Sequence, residues 1–316
     1  MAFDQIFDIA FFEGEFIPFS DAKVSIGTHA LQYGTGAFAG VRGYMADDGV
    51  TINIFRLKEH AGRLLRSAKL LRMELPYDID AVAGKIVELT QRNEPDGDIY
   101  FRPFVYKASV QLTPRLKGLR DELAIYMMPM GNYLDLTRGQ KVHVSSWTRI
   151  DDNAIPSRGK ITGSYINSSF AKDEAEEKGA DEAIMLTHQG KVAEGSAANL
   201  FMVRDGVLVT PPVNGDVLEG ITRRSLIELA AELGIEVEQR NIDRSELYLA
   251  EELFFCGTGA QVAPIESVDG RLIGETGNWP VTRQLSEVFF DIVRGRNPKY
   301  SHWLTPVPVV QHATVV

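Results

Sequence analysis

A chain of 316 residues, 44% hydrophobic and 24% charged, can bury a sizeable core and, at roughly 150 residues per domain, divides into two. Its net charge of -10 favours solubility and disfavours nonspecific binding to nucleic acid or anionic membrane. One cysteine, Cys256, excludes an intramolecular disulfide framework, and its setting in EELFFCG is that of a core strand. The six histidines show no pair at metal-ligand spacing, so no metal is expected. The N-terminal MAFDQIFDIAFFEGEF places acid early, and no run approaches the roughly 18 apolar residues of a membrane helix. A cytoplasmic protein is expected.

Along the chain, FDIAFFEGEFIPF predicts two strands about a Glu-Gly turn, and a Gly-rich segment, YGTGAFAGVRGY, follows at 33 to 44. The spacing of Leu57, Ala61, Leu64, Ala68 and Leu71 predicts a helix over 56–72 with Arg63 on its flank. A second helix is expected at 80–92, and strands at 98–107 and 122–129. The polar, turn-rich GNYLDLTRGQ, 131–140, is expected to link an N-terminal domain (1–130) to a C-terminal one (141–300). Helix 164–178 carries Ser164, Ser168, Ala171 and Ala175 on one narrow stripe, which would let it lie close to a neighbour. Strands at 182–187 and 199–203 precede GITRRSLIELAAELG, a helix entered at Thr222 with Leu226, Leu229, Ala230 and Leu233 buried and Gly234 at its end. Residues 301–316, Pro-bearing and aperiodic, form a loose tail or a strap across a neighbour. Strands and helices mix without regular alternation, which predicts an α+β fold.

The stretch AIPSRGKITGSYINSSFAKDEA, 154 to 175, brackets Lys160 with Gly159 and Gly163, residues that permit close backbone approaches. Were Lys160 to form a Schiff base with an aldehyde cofactor, three companions would be needed: an anion, a hydroxyl and a phosphate anchor. Glu194 in KVAEGSAANLF can supply the anion, although a loop Glu before Gly is also an ordinary solvated charge. Tyr165 can supply the hydroxyl, or be a partly buried Tyr with a backbone partner. Gly220, Ile221 and Thr222 in LEGITRRS sit at a helix N-terminus that favours an anion, although capping by Thr accounts for the same residues. A second turn, CGTGAQ at 256 to 261, offers Thr258 between two glycines.

These pieces together, with FRLKEHAGRLLRSAK and YFRP, resemble the fold type IV pyridoxal phosphate enzymes, specifically the branched-chain amino acid aminotransferases. The resemblance runs from GTHALQYGTGAFAGVRGY through HWL. It implies two domains with pyridoxal 5'-phosphate between them and a homodimer that completes the site. Lys160 would be the Schiff-base lysine and the acid/base of a ping-pong transfer between L-leucine, L-isoleucine or L-valine and 2-oxoglutarate. Glu194 would pair with the pyridine nitrogen and Tyr165 with the phenolic oxygen. Arg63, Ile221, Thr222 and Thr258 would hold the phosphate. Substrate would meet an apolar wall of Phe38 and Tyr33, with Tyr100, Met130 and the cation of Arg102 nearby, and backbone N–H groups at Gly259 and Ala260 would take its α-carboxylate.

The chain departs from the family at Phe38-Ala39-Gly40, at Thr258-Gly259-Ala260-Gln261, at Glu219 and at Met130. These departures bear on substrate preference and leave the cofactor residues alone. D-amino acid or R-selective amine transaminases and aminodeoxychorismate lyase share the lysine and glutamate and form the alternative; YFRP and the GTGA turn favour the branched-chain enzyme. A cofactor-free scaffold is the third reading, disfavoured by the intact set of Lys160, Glu194, Tyr165 and Arg63.

Overall fold

The computed structural model describes residues 6–131, 138–214, 216–275 and 277–309. It divides into two compact units, each built on one sheet. The first takes the residues through Gly131, the short segment Gly159–Gly163, and those from Phe290 on. The second takes the described residues up to Arg158 and Ser164–Phe289. Lys160 therefore groups with the N-terminal unit, not with the 141–300 span in which it lies by sequence. Most of the expected linker, 132–137, lies outside the described residues.

The first unit's sheet is wholly antiparallel, in the order Leu304–Pro308, Thr51–Phe55, Val41–Met45, Ile99–Lys107, Asp121–Pro129, Ile9–Phe12 and Glu15–Pro18. The short strand Gly36–Phe38 also pairs with Ile99–Lys107. Two helices, Leu57–Leu70 and Ile79–Asn93, pack on each other and on this sheet. The second starts where the Asp78 side chain accepts from the Ala81 N–H at 2.8 Å, an N-cap that satisfies one of the donors a helix start leaves open. The first helix buries Leu57, Ala61, Leu64 and Ala68 as expected, and Arg63 with them.

From 301 onward the expected tail is partly a strand. Leu304–Pro308 pairs with Thr51–Phe55 and forms the sheet's edge. An edge tolerates Pro306 and Pro308 because a proline's missing N–H can face away from the ladder, and the strand period was hidden by them. Residues 310–316 lie outside the described residues.

The second sheet is mixed, in the order Val192–Gly195, Glu182–Leu186, Gln140–Val144, Gln261–Val268, Glu252–Gly257, Asn199–Arg204, Val207–Thr210 and Val237–Gln239, with Arg271–Leu272 on Gln261–Val268. Its core gathers Leu200, Met202, Leu253, Phe255 and Ile265, all fully buried. Cys256 is buried in the same strand set, and burial pushes its thiol pKa up. The small-residue stripe does what its size permits: Ala171 and Ala175 of helix Tyr165–Glu177 pack directly on Ala183 and Met185 of the adjoining strand. Helix Ile221–Glu232 begins one residue earlier than expected, and Leu233 is only half-buried. A helix that the sequence reading passed over, Pro280–Val293, buries Leu285, Phe289 and Ile292. Its helical spacing and leading proline were legible signals.

Candidate active site

In the first unit, Lys160 is fixed by its backbone. Its N–H donates to the Ser67 hydroxyl at 3.2 Å, and its carbonyl accepts from the Phe38 N–H at 3.0 Å. Ile161 bridges to Ala37, and Gly163 N–H donates to Gly34 O at 3.2 Å. The glycines near Lys160 sit at close approaches. A Cβ on Gly159 would stand 2.8 Å from Leu70 Cδ1, and one on Gly34, whose φ is +64, would stand 2.8 Å from Gly163 Cα.

Ser67 also donates to the Arg63 carbonyl at 3.0 Å, one turn back along helix Leu57–Leu70. One hydroxyl thus joins the lysine's backbone to the arginine's. The Arg63 side chain is 5% exposed, so the helix flank where it was placed faces inward. Burial of a guanidinium is costly without an anion.

The Lys160 ammonium stands 5.0 Å from the centroid of the Phe38 ring, and the Arg102 guanidinium lies 4.4 Å from the same centroid and 5.3 Å from that of Tyr100. Strand alternation explains the grouping: Tyr100 and Arg102 are two apart on Ile99–Lys107 and share a face. Arg102 Nε is buried with no hydrogen-bond partner, a donor left open on an otherwise aromatic surface. Tyr100 lies over Gly40, where a Cβ would come within 2.2 Å of its hydroxyl. Gly40, which this chain has in common with the family's Phe-Glu-Gly, therefore makes room for the tyrosine, and the departure at Ala39 does not. Tyr33 packs against His29 in a tilted pair, ring centroids 4.7 Å apart, and is 39% exposed; Tyr100, rather than Tyr33, is the aromatic grouped with Phe38 and Arg102. Met130 is buried, and its carbonyl accepts from Arg42 at 2.9 Å.

In the second unit, Glu194 is fixed by its carboxylate. Oε1 accepts from Arg149 Nε at 2.9 Å, and Oε2 accepts from Asn199 Nδ2 at 2.9 Å and from the Leu218 N–H at 3.2 Å. Glu194 is 6% exposed and Arg149 9%; the buried cation and the N–H donors favour the ionised carboxylate. The solvated-loop reading of Glu194 does not hold, because it sits in a buried strand beside a bulge. Arg149 and Asn199 carry no sequence signal of their own, because their partner lies 45 and 5 residues away.

Asn199 also donates to Leu218 O at 3.0 Å, and a Cβ on Gly220 would meet its Oδ1 at 1.9 Å. This ties Glu194 to the start of helix Ile221–Glu232. The cap of that helix is Gly220, with no side-chain cap bond, and Thr222 lies inside the first turn. Capping by Thr is thus excluded, and the first N–H groups stay available to an anion. The contrast lies in the same unit: at the start of Pro280–Val293, Glu252 accepts from the N–H groups of Val281 and Thr282, both at 2.9 Å, and from the Thr282 hydroxyl at 2.7 Å. Tyr165 is the half-buried first residue of its helix. Thr258, Gly259 and Ala260 form the turn between paired Gly257 and Gln261.

The buried carboxylate and uncapped helix start of the second unit, and the inward arginine and root-fixed lysine of the first, are each a donor type that a phosphorylated pyridine aldehyde needs. Among the described residues, no group of His, Cys, Asp and Glu side chains is disposed to hold a metal ion.

Comparison with known proteins decides the family. The profile for "Amino-transferase class IV" matches residues 44–268. The chain belongs to the class IV aminotransferases. It is 46% identical over 301 residues to a probable branched-chain-amino-acid aminotransferase of Aquifex aeolicus, covering 95% of this chain and 97% of that one. The branched-chain-amino-acid aminotransferase of Escherichia coli K12 is 38% identical over 304 residues, with the same coverage of 95% and 97%. Among solved structures, the branched-chain aminotransferase of Thermoproteus uzoniensis with norvaline superposes with a TM-score of 0.91 at 40% identity, covering 96% of this chain and 99% of that one. The branched-chain amino acid aminotransferase of Thermobaculum terrenum in its PLP-form gives 0.92 at 36% identity, covering 97% of this chain and 100% of that one. This class IV aminotransferase therefore has the α+β fold of the branched-chain enzymes.

Proposed function

We propose that this enzyme transfers the amino group of L-leucine, L-isoleucine or L-valine to 2-oxoglutarate, reversibly and in two half-reactions, with pyridoxal 5'-phosphate as cofactor. The observation that carries the substrate choice is the Phe38 ring with Lys160 and Arg102 both against it. A branched aliphatic side chain needs an apolar wall, and glutamate needs a cation for its distal carboxylate; Phe38, Tyr100 and Arg102 offer both on one strand pair.

Once bound, the cofactor supplies an electron-withdrawing ring that acidifies the substrate Cα–H and stores the amino group between half-reactions. Lys160 Nζ would hold the cofactor and would be the base that carries a proton to and from the substrate Cα. Glu194, beside the Arg149 guanidinium, would hold the pyridine nitrogen protonated. Tyr165 would donate to the phenolic oxygen. Arg63, the N–H groups at Ile221 and Thr222, and Thr258 would take the phosphate. Arg102 binds the distal carboxylate of glutamate through its open Nε edge, and the N–H groups of Gly259 and Ala260 take the α-carboxylate. Tyr33 and Met130 complete the apolar surroundings.

An exposed apolar patch on the first unit, with Ile26, Leu31, Val110 and Leu112 each more than 60% exposed and drawn together by the Thr28–Val110 bridge, supports a homodimer. Light scattering on the purified protein tests that assignment. No helix of the described residues is long and apolar enough to cross a membrane, which accords with placement in the cytoplasm.

The decisive experiment mixes the cofactor-loaded enzyme with L-leucine and no keto acid, with D-alanine in parallel. Loss of the visible band with L-leucine alone and its return with 2-oxoglutarate is the expected result. Bleaching by D-alanine alone would move the enzyme to the D-amino acid transaminases; bleaching by neither would remove the substrate assignment.

A further inference from the structure

The second unit carries a surface cleft of about 520 Å³ whose lining includes Lys141, Lys178, Arg244, Arg271, Tyr248 and Asp269. Its size falls within the range of small-molecule sites, roughly 300–1,000 Å³. Four permanent cations face one carboxylate there, on a chain whose net charge is -10.

That carboxylate is already engaged. Asp269 Oδ1 accepts from the Val144 N–H at 2.9 Å, with His143 Nδ1 standing at the same distance; Oδ2 accepts from the Tyr248 hydroxyl and from Arg244 Nη2, both at 2.8 Å. Of the four cations, only Arg244 lies within ion-pair distance of this carboxylate. Neighbouring carboxylates are engaged as well: Asp181 takes both Nη atoms of Arg138 and the Lys141 N–H, and Glu174 takes the Ser145 hydroxyl and the Ser146 N–H. No acidic side chain pairs with Lys141, Lys178 or Arg271 within 4.0 Å among the described residues, whereas elsewhere in this unit Arg138, Arg158, Lys172, Lys191, Arg204 and Arg240 are each paired.

The cleft is also pre-arranged. Asp269 fixes Arg244 and Tyr248, and the Tyr248 ring carries the Arg271 guanidinium at 4.4 Å from its centroid. The turn Asp269-Gly270, with φ of 50 and 75, holds Arg271 at the start of its two-residue strand against Val268, a hairpin geometry that fixes the direction of the side chain.

We propose that this cleft binds a small phosphorylated anion carrying at least two negative charges, with Lys141, Lys178 and Arg271 as its ligands and Arg244 as the anchored fourth cation. The doubly charged group is the shared chemistry of a bare diphosphate and a nucleoside diphosphate, and both fit the volume.

Calorimetric titration of the cofactor-loaded enzyme with inorganic pyrophosphate at low ionic strength tests this, because the cofactor occupies the other phosphate position. The expected result is one site per chain, weakened roughly three- to tenfold in each of Lys178→Gln and Arg271→Gln and again by 0.5 M salt. Transamination without added pyrophosphate stays unchanged in both variants, which shows that they fold. Adenosine diphosphate in parallel separates the sources: tighter than pyrophosphate assigns a nucleotide, equal or weaker a bare diphosphate. No heat of binding, or equal affinity in wild type and both variants, overturns the proposal.

Discussion

Lys160 and Glu194 are held in opposite ways. Lys160 is anchored at its root, through its own N–H and carbonyl to Ser67 and Phe38, on a half-buried side chain. Glu194 is anchored at its tip, through both carboxylate oxygens to Arg149, Asn199 and the Leu218 N–H. The difference follows the work each is assigned. A group that shuttles a proton needs a fixed origin and a mobile end, whereas a charge partner stabilises best when it cannot reorganise.

The strongest way to break this contrast is Lys160→Ala, which removes the mobile end and leaves both backbone bonds. Turnover should fall by about a thousandfold or more, with the melting temperature nearly unchanged; a residual rate within tenfold of wild type would show another base at work. Glu194→Gln attacks the fixed tip. It should lower kcat by roughly 10²–10³-fold and also destabilise by about 3 kcal/mol, because Arg149 is left buried beside a neutral group. Only the second variant should show both losses, as read by kinetics and by urea denaturation.

Arg102→Met sharpens the substrate side of the same comparison. KM for glutamate and 2-oxoglutarate should rise roughly ten- to hundredfold, while KM for L-leucine changes little. An equal rise for both would make Arg102 a structural residue. Ser67→Ala then loosens the root of Lys160 and should cost several-fold in kcat, with little change in KM; the buried Lys160 N–H is left with about 1–3 kcal/mol of unmet hydrogen bonding.

The smallest effect expected is of pH. Burial by itself raises the Asp269 pKa, but hydrogen bonds from Val144 N–H, Tyr248 and Arg244 outweigh it and hold the group below its ordinary 3.8. A folded pKa lower than the unfolded one gives stability that is present above the unfolded value and is lost as pH falls through the folded one. The melting temperature should therefore decline below about pH 4, with a shallower slope in Asp269→Asn.

Local signals were legible wherever one segment suffices. The apolar spacing of 57 to 68 and the small stripe at Ala171 and Ala175 predicted their buried faces. The glycines around Lys160 marked a close approach, and Leu70 and Gly34 are what approaches. The placement of Lys160 was not legible, because grouping Gly159–Gly163 with the first unit depends on the bridge to Ala37, more than a hundred residues away in sequence. The tail's strand was hidden by its two prolines until its edge position was known.

Sequence by itself determined the chemistry available: a bracketed lysine, a glutamate before small residues, a helix start open either to an anion or to a threonine cap, and enough motif order to imply the family. Tertiary structure decided which of these groups are charged, fixed or open. Arg149 makes Glu194 an ion, Asn199 ties it to Gly220, Tyr100 rather than Tyr33 joins Arg102 at Phe38, and Asp269 pairs with Arg244 and not with Lys141, Lys178 or Arg271. The physical reason is common to all four: charge state and hydrogen-bond saturation depend on burial and on partners that only long-range folding brings within 3 Å or so.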